Sequence, residues 1–231
     1  MSDTISYPLV KRLAAEAVGT AFLLATVIGS GIMGEALSGG NDGLALLANA
    51  IATGCMLVVL ILIFGPVSGA HFNPAVTLVF ALRKDIAPAP AVTYVAVQIV
   101  GGVVGVLIAH AMFDLTLIQS SARLRTGGGQ WLAEAVATFG LLASILGCVR
   151  WRPDAVAYAV GLYITAGYWF TASTSFANPA VTIARTLTDT FAGISTAHAP
   201  AFIAAQLVGA AAAFQFFRWL FAPPAGSRGQ I

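Results

Sequence analysis

The sequence predicts an all-α membrane protein with six transmembrane helices and two re-entrant half-helices, arranged as an inverted repeat. Hydrophobic residues make up 58% of the 231 residues and charged residues only 9%, whereas soluble domains carry about a quarter charged residues. Six apolar stretches are long enough to cross a bilayer. A short motif that begins Asn-Pro-Ala occurs twice, once in each half of the chain.

The apolar stretches divide the chain into two halves of three spans each. They cover residues 9–33, 44–64, 91–113, 131–149, 155–171 and 201–221. A long loop from Asp114 to Gly129 joins the halves, which are expected over about residues 8–113 and 130–222 of one domain that covers residues 1–231. No cleaved signal peptide is expected, because Lys11 and Arg12 lead directly into a full-length span.

The repeated motif predicts two helix starts inside the membrane. It reads Asn73-Pro74-Ala75 in the first half and Asn178-Pro179-Ala180 in the second. Asparagine is a favoured N-cap, and proline is tolerated at the first helical position. Each following apolar run lasts only about two or three turns, which is too short to cross a bilayer of ~30 Å. Both copies are therefore expected to form half-helices.

The two halves repeat beyond this motif. Glu16 and Glu134 lie in matching Ala-Glu-Ala-Val sequences, and Gln98 and Gln206 each begin a Gln-X-Val-Gly sequence. Three spans separate the first copy of each pattern from the second. Because three is an odd number, the halves insert in opposite orientations, and the half-helices are expected to meet near the bilayer midplane.

With these motifs in place, the chain resembles the aquaporin and aquaglyceroporin family, the major intrinsic proteins, over nearly its whole length. The resemblance implies a passive channel in which both half-helix N-termini face a pore. Each such end carries roughly half a positive charge, which opposes cations and protons. Asn73 and Asn178 would direct amide donors at the oxygen of a passing neutral solute.

The resemblance also implies a filter of four residues. Spacing from the two asparagines places them at Thr53, Ser175, Val181 and either Ala166 or Gly167. Similar water and glycerol channels carry an arginine where this chain has Val181. The aromatic residue and the arginine that narrow such filters are therefore both expected to be missing, which predicts a wider and more apolar constriction.

The substrates implied by the resemblance are small neutral solutes. They include glycerol-like polyols and undissociated metalloid hydroxides such as arsenous acid, with water and larger organic arsenicals as further candidates. With valine at the filter position, the chain resembles a bacterial subgroup associated with arsenic resistance. Members of this family form tetramers, so the resemblance implies a homotetramer in the lipid bilayer. No cofactor, metal or nucleic acid is expected, because no basic run, metal cluster or catalytic set is present in the sequence.

Five residues are assigned to the pore wall or to loop support. Glu16 and Glu134 lie within membrane helices, where an unpaired charge costs at least ~2.5 kcal/mol. One interpretation makes them a proton relay; the favoured one has each carboxylate accept backbone N–H groups of a re-entrant loop. Gln98 and Gln206 are expected to anchor the same backbone. His71 is expected either beside the pore or in a loop-stabilising hydrogen bond.

Val181 lies three positions after Asn178, and Arg185 lies seven positions after it. Residues at this spacing share one face of a helix. This spacing places Arg185 at the pore mouth, where it would draw in polar or weakly anionic solutes. The alternative is an arginine that snorkels from the end of the half-helix to water or lipid headgroups.

Basic residues in short loops predict the orientation. One side carries eight of them: Lys11, Arg12, Arg83, Lys84, Arg150, Arg152, Arg218 and Arg228. The other side carries only Arg123, Arg125 and Arg185. Both termini are therefore expected in the cytoplasm, with a bacterial inner (plasma) membrane as the implied location.

Two other functions stay open: a water-selective aquaporin, and a proton-coupled secondary transporter that uses Glu16 or Glu134. An enzyme is not expected.

Overall fold

The computed structural model describes residues 7–223, and this range contains eight α-helices. They are α1 (Leu9–Leu37), α2 (Asp42–Ser68), α3 (Pro74–Leu82), α4 (Pro88–Met112), α5 (Gly128–Trp151), α6 (Val156–Phe170), α7 (Pro179–Ala184) and α8 (Ala199–Leu220). Short 3₁₀ turns lie at Pro153–Ala155 and Arg185–Leu187. The predicted all-helical class is confirmed, and each half consists of two helices, a short helix and a further helix.

Five of these helices, α1, α2, α4, α5 and α8, are long and apolar enough to cross a membrane. The chain is an integral membrane protein. The sixth predicted span forms α6, which has 15 residues. At 1.5 Å per residue α6 is about 22 Å long, less than the ~30 Å of a hydrocarbon core. It ends where the backbone of Thr171 becomes extended.

The short helices α3 and α7 begin at the two asparagines. The side-chain oxygen of Asn73 accepts a hydrogen bond from the N–H of Ala75 at 2.8 Å. The side-chain oxygen of Asn178 accepts from the N–H groups of Ala180 at 3.0 Å and Val181 at 3.3 Å. A proline stands at the start of each helix, and the helices have 9 and 6 residues. α3 has the expected two to three turns, whereas α7 has fewer than two turns before the 3₁₀ turn at Arg185–Leu187.

Glycines allow the first and last helices of each half to pack closely. A side chain at Gly101 of α4 would collide with the carbonyl oxygen of Ala17 in α1. One at Gly209 of α8 would collide in the same way with the carbonyl oxygen of Ala135 in α5. Small residues at such crossings let backbones approach one another inside a membrane. The same helix pairing therefore holds each half together.

The long loop between α4 and α5 folds across the C-terminal end of α7. The N–H of Ser121 donates to the carbonyl of Thr186 at 3.0 Å, and the N–H of Ala122 donates to the carboxylate of Asp189 at 2.8 Å. These bonds tie the connection between the halves to the segment that follows the second half-helix.

Replacing Gly101 by alanine is expected to destabilise the protein by about 1–3 kcal/mol, because the added methyl group would overlap the Ala17 carbonyl. Thermal or denaturant unfolding of the purified protein in detergent measures this change. Gly147→Ala in α5 is the matched control, since nothing lies within 4 Å of a methyl group there. That variant is expected to stay within ~1 kcal/mol of wild type. Equal stability of the two variants would contradict the close crossing.

Candidate functional site

The N-terminal ends of α3 and α7 meet through their asparagines. Nδ2 of Asn73 donates to the carbonyl of Ala177 at 2.7 Å, and Nδ2 of Asn178 donates to the carbonyl of Phe72 at 2.8 Å. Each asparagine thus caps its own half-helix with its oxygen and binds the opposite loop with its nitrogen. Because an amide nitrogen carries two hydrogens, one N–H of each side chain is left for a further acceptor.

The loops that precede the half-helices share an unusual backbone. In the first loop Ala70 and Phe72 have φ angles of 50° and 48°, and in the second Ser175 and Ala177 have φ angles of 51° and 48°. These residues lie three and one positions before each asparagine. A left-handed conformation costs residues with side chains roughly 1–3 kcal/mol and persists only where the surroundings hold it. In both loops a glutamate supplies much of that restraint.

Glu16 of α1 holds the first loop. Its Oε1 accepts from Oγ of Ser68 at 2.7 Å and from the N–H of His71 at 2.9 Å. Its Oε2 accepts from the N–H of Phe72 at 2.7 Å and from Nε2 of Gln98 at 2.8 Å. Each of the two oxygens of this buried carboxylate therefore accepts two hydrogen bonds. They satisfy backbone donors that have no helical partner.

Glu134 of α5 holds the second loop in the same manner. Its Oε1 accepts from the N–H of Phe176 at 2.9 Å. Its Oε2 accepts from the N–H of Ala177 at 2.9 Å and from Nε2 of Gln206 at 2.6 Å. Gln206 also donates to Oγ1 of Thr182 at 2.8 Å, so this glutamine links the carboxylate to the half-helix itself. The two supports are related by the internal repeat.

One cavity of about 240 Å³ runs along the joined half-helix ends. Both asparagines line it, together with Phe80 near the C-terminus of α3 and Arg185 just after α7. The part of the cavity beside Phe80 is termed the Phe80 end, and the part beside Arg185 is termed the Arg185 end. Most of the remaining wall is aliphatic: Leu23, Val27, Leu57, Ile61, Val76, Leu141, Ile145, Val149, Val156, Val160 and Ile164. Such a wall binds a polar solute weakly, which suits passage more than retention.

Between the asparagines and the Arg185 end, four side chains from different segments line the cavity. They are Thr53, Tyr168, Ser175 and Val181. The hydroxyl groups of Thr53 and Tyr168 are hydrogen-bonded at 3.2 Å. Oγ of Ser175 is buried and has no hydrogen-bond partner within residues 7–223. Three of these residues were filter positions expected from the sequence.

The fourth filter position expected from the sequence is wrong. Ala166 is exposed on the outside of α6, and Gly167 packs behind Ser175, where an added Cβ would lie 2.6 Å from the serine Oγ. Neither lines the cavity, whereas Tyr168 does. Counting back from Asn178 failed because the intervening loop is not helical, so spacing did not determine which side chain of α6 points inward. An aromatic side chain is therefore present in this wall.

Arg185 lies inside the protein. Its side chain is 2% exposed, and its guanidinium carbon is 3.4 Å from the ring centroid of Phe176. Its Nε donates to the carbonyl of Ala192. The snorkelling alternative is wrong, because the surrounding loops enclose this side chain and direct it at the cavity.

A second arginine, Arg125, approaches the same end from the long loop. Its guanidinium carbon is 5.3 Å from the ring centroid of Phe176, and its Nε donates to the carbonyl of Gly193 at 2.8 Å. Burial lowers the pKa of the Arg125 guanidinium, and the group stays protonated because arginine does not lose its proton in proteins. The sequence did not indicate that Arg125 would lie at this end of the cavity. Arg123 in the same loop instead forms an exposed salt bridge with Glu35 at 2.8 Å, and no sequence signal separates the two arginines.

His71 occupies both positions considered from the sequence. It lines the cavity, and its Nδ1 lies 3.1 Å from Oγ1 of Thr77. Nε2 of Gln98 donates to the same threonine oxygen at 3.0 Å. The imidazole ring also packs against Phe80, with ring centroids 4.7 Å apart. The histidine therefore joins the first loop to the wall near the Phe80 end.

Comparison with known proteins places this geometry in context. The family model described as "Major intrinsic protein" matches residues 3–153. Aquaglyceroporin AqpS of Rhizobium meliloti is 54% identical over 217 residues, which cover 94% of this chain and 93% of that protein. Aquaporin Z of Bradyrhizobium diazoefficiens is 28% identical over an alignment of 233 positions, which covers 94% of this chain and 95% of that protein.

A solved structure shares the fold. The X-ray structure of the aquaglyceroporin from Plasmodium falciparum matches with a TM-score of 0.77 and 21% sequence identity. The match covers 94% of this chain and 98% of the other. The similarity therefore extends over both halves of the repeat.

Replacing Glu134 by glutamine is expected to destabilise the second loop, because the new amide would present N–H groups to backbone donors. Each donor left unsatisfied costs roughly 1–3 kcal/mol. The melting temperature in detergent, together with hydrogen exchange of the amides at 176 and 177, measures the effect. Glu35→Gln is the matched control, since it removes an exposed salt bridge worth less than ~1 kcal/mol. Unchanged exchange in Glu134→Gln would argue against this support.

Proposed function

Because the chain belongs to the major intrinsic protein family and is a channel for small neutral solutes, we propose that it conducts glycerol-like polyols and undissociated metalloid hydroxides such as arsenous acid. Water and larger organic arsenicals are further candidates. The observation that carries the proposal is the cavity that is lined by both asparagines, by Phe80 near the C-terminus of α3 and by Arg185 just after α7. The protein is not an enzyme.

The chemistry of the wall supports solutes that carry several hydroxyl groups. Thr53, Tyr168 and Ser175 present hydroxyls, and each asparagine keeps one N–H. A polyol can exchange its water shell for these groups while its carbon atoms lie against the aliphatic wall. The uncharged hydroxide of a metalloid presents similar hydroxyl groups at similar size.

Val181 supports a passage that is wider than in channels with arginine at this position. The valine side chain offers no donor, and the guanidinium of Arg185 lies over Phe176 one turn further along. Tyr168 removes part of the gained width, so the filter is both less wide and less apolar than the sequence alone suggested. Polyols of glycerol size are expected to pass, and bulkier solutes are expected to be slowed.

The positive groups along the cavity support exclusion of cations. Both half-helix N-termini face the centre of the cavity, and each carries roughly half a positive charge. Arg185 adds a full charge at one end. A cation would meet these positive groups in succession.

Passive flux is favoured over proton-coupled transport. Within residues 7–223, neither Glu16 nor Glu134 belongs to the cavity lining, and both carboxylates accept hydrogen bonds from loop backbone. A proton relay needs a carboxylate that reaches the permeation path. The second candidate is a water-selective channel, which the hydrogen-bonded pair Thr53 and Tyr168 would favour by narrowing the filter.

The proposal includes one channel domain over residues 1–231, with repeat halves at about 8–113 and 130–222, and a homotetramer in a bacterial plasma membrane. Basic residues support cytoplasmic termini: Arg83, Lys84, Arg150 and Arg218 line one surface pocket beyond the Phe80 end. The Arg185 end then faces outward. Both chain ends and Arg228 lie outside the described residues.

Val181→Arg is the experiment that tests the proposal. The arginine is expected to narrow the filter and lower glycerol flux about tenfold, which corresponds to ~1.4 kcal/mol, while water flux changes much less. Stopped-flow light scattering of proteoliposomes in glycerol and in sucrose measures both rates, with Val181→Ile as the control that keeps an apolar side chain. Equal glycerol rates in all three proteins would contradict a filter at Val181. Accumulation driven by a pH gradient would instead indicate a coupled transporter.

Tyr168→Ala is expected to widen the same constriction. Four- and five-carbon polyols should gain flux relative to glycerol by about tenfold, because an aromatic side chain no longer occupies the wall. Tyr158→Ala provides the control, since Tyr158 is 52% exposed on the outside of the same helix. An unchanged ratio of large to small polyol flux in Tyr168→Ala would show that this residue does not limit the passage.

A further inference from the structure

We propose that the Arg185 end of the cavity is a binding site for small oxyanions, in particular monocarboxylates, formed by Arg185 and Ser175 and assisted by the charge of Arg125. The inference rests on the proposed function for its location in a permeation path. It adds a charged ligand to a channel otherwise suited to neutral solutes.

The first observation is a buried guanidinium with free donors. Arg185 is 2% exposed and lines the cavity. A guanidinium carries five N–H donors, yet within residues 7–223 only Nε of Arg185 makes a hydrogen bond, to the carbonyl of Ala192. The Nη groups are therefore available to a ligand in the cavity. A guanidinium matches the two oxygens of a carboxylate in a paired geometry.

The second observation is an unpartnered hydroxyl in the same wall. Ser175 is 3% exposed and lines the cavity, and its Oγ has no partner among the described residues. Gly167 closes the space behind it, since even a methyl group there would meet the serine oxygen at 2.6 Å. The hydroxyl is therefore open to a partner from the cavity side. It supplies one more donor for an oxyanion.

The third observation is a pair of positive charges without a salt-bridge partner in the described residues. The guanidinium carbons of Arg185 and Arg125 lie 3.4 Å and 5.3 Å from the ring centroid of Phe176. Within residues 7–223 neither arginine forms a salt bridge. Arg125 donates from Nε to the carbonyl of Gly193, from Nη2 to the carbonyl of Phe191 and from Nη1 to Oγ1 of Thr174, so it acts on a ligand mainly through its charge. Two close like charges repel one another, and an anion between them and the cavity relieves that repulsion.

The size and chemistry of the site select the ligand. The neighbouring wall contains Val181 and the aliphatic lining, which suit a short carbon chain. A carboxylate with a small apolar tail therefore fits better than a large or multiply charged anion. Such a ligand, entering from the Arg185 end, is expected to compete with glycerol for the same path.

Lactate is the probe for a test that uses the intact protein in proteoliposomes. Glycerol flux is measured with rising external sodium lactate against sodium chloride at equal ionic strength, and with uncharged lactamide as a shape control. Lactate is expected to inhibit saturably, and neither control is expected to match it. Equal inhibition by chloride, or none by lactate, would overturn the site.

Variants assign the binding to its residues. The lactate concentration for half-inhibition is expected to rise about tenfold in Arg185→Gln and about threefold in Ser175→Ala, as expected for losing charged and neutral hydrogen bonds. Arg125→Gln should raise it about threefold at low salt and less at high salt. Arg123→Gln is the matched control, because it removes an equal charge from the same loop outside the site, and no change is expected. An equal shift in Arg123→Gln would reduce the effect to surface charge and overturn the proposal.

A direct binding measurement separates this inference from the proposed function. Stabilisation of the detergent-solubilised protein by lactate, read as a rise in melting temperature, does not depend on flux. Lactate binding that weakens about tenfold in Arg185→Gln and about threefold in Ser175→Ala would support the site even if glycerol did not pass. Glycerol flux without lactate binding would refute the site and leave the channel proposal intact.

Discussion

Backbone polar groups inside a membrane need partners, because no water reaches them and each unsatisfied group costs several kcal/mol. The two loops that lead into the half-helices break the helical hydrogen-bond ladder at that depth. Glu16 and Glu134 supply the missing acceptors, each from the helix that begins its half of the chain. The position of the half-helices, and therefore the cavity between them, depends on these two carboxylates.

The electrostatic character of the cavity follows from the same arrangement. The acidic side chains are committed to loop backbone behind the wall, so their charges do not line the path. The backbone instead turns two helix N-termini toward the centre, and the asparagines present N–H groups there. In the channel proposed above, selection against cations comes largely from oriented peptide groups, with Arg185 and Arg125 adding positive charge at one end only.

Residues whose positions depend on internal repetition could be predicted from sequence. The two motif copies, the paired glutamates and the paired glutamines identified the half-helices and the fold, because each occurred twice at corresponding places. Residues whose side-chain direction depends on the path of a loop could not be predicted from sequence. Tyr168 entered the wall in place of Ala166 or Gly167, since an extended segment separates α6 from Asn178. Arg125 is distinguished from Arg123 only by how one non-helical loop folds.

The crossed asparagine bonds constrain how the protein is made. The carbonyl of Phe72 is satisfied by Asn178, which lies 106 positions later in the chain. Before Asn178 has been synthesised, the carbonyl of Phe72 has no such donor. The first loop therefore cannot complete its hydrogen bonds from residues of the N-terminal half alone, and its final conformation requires the second half.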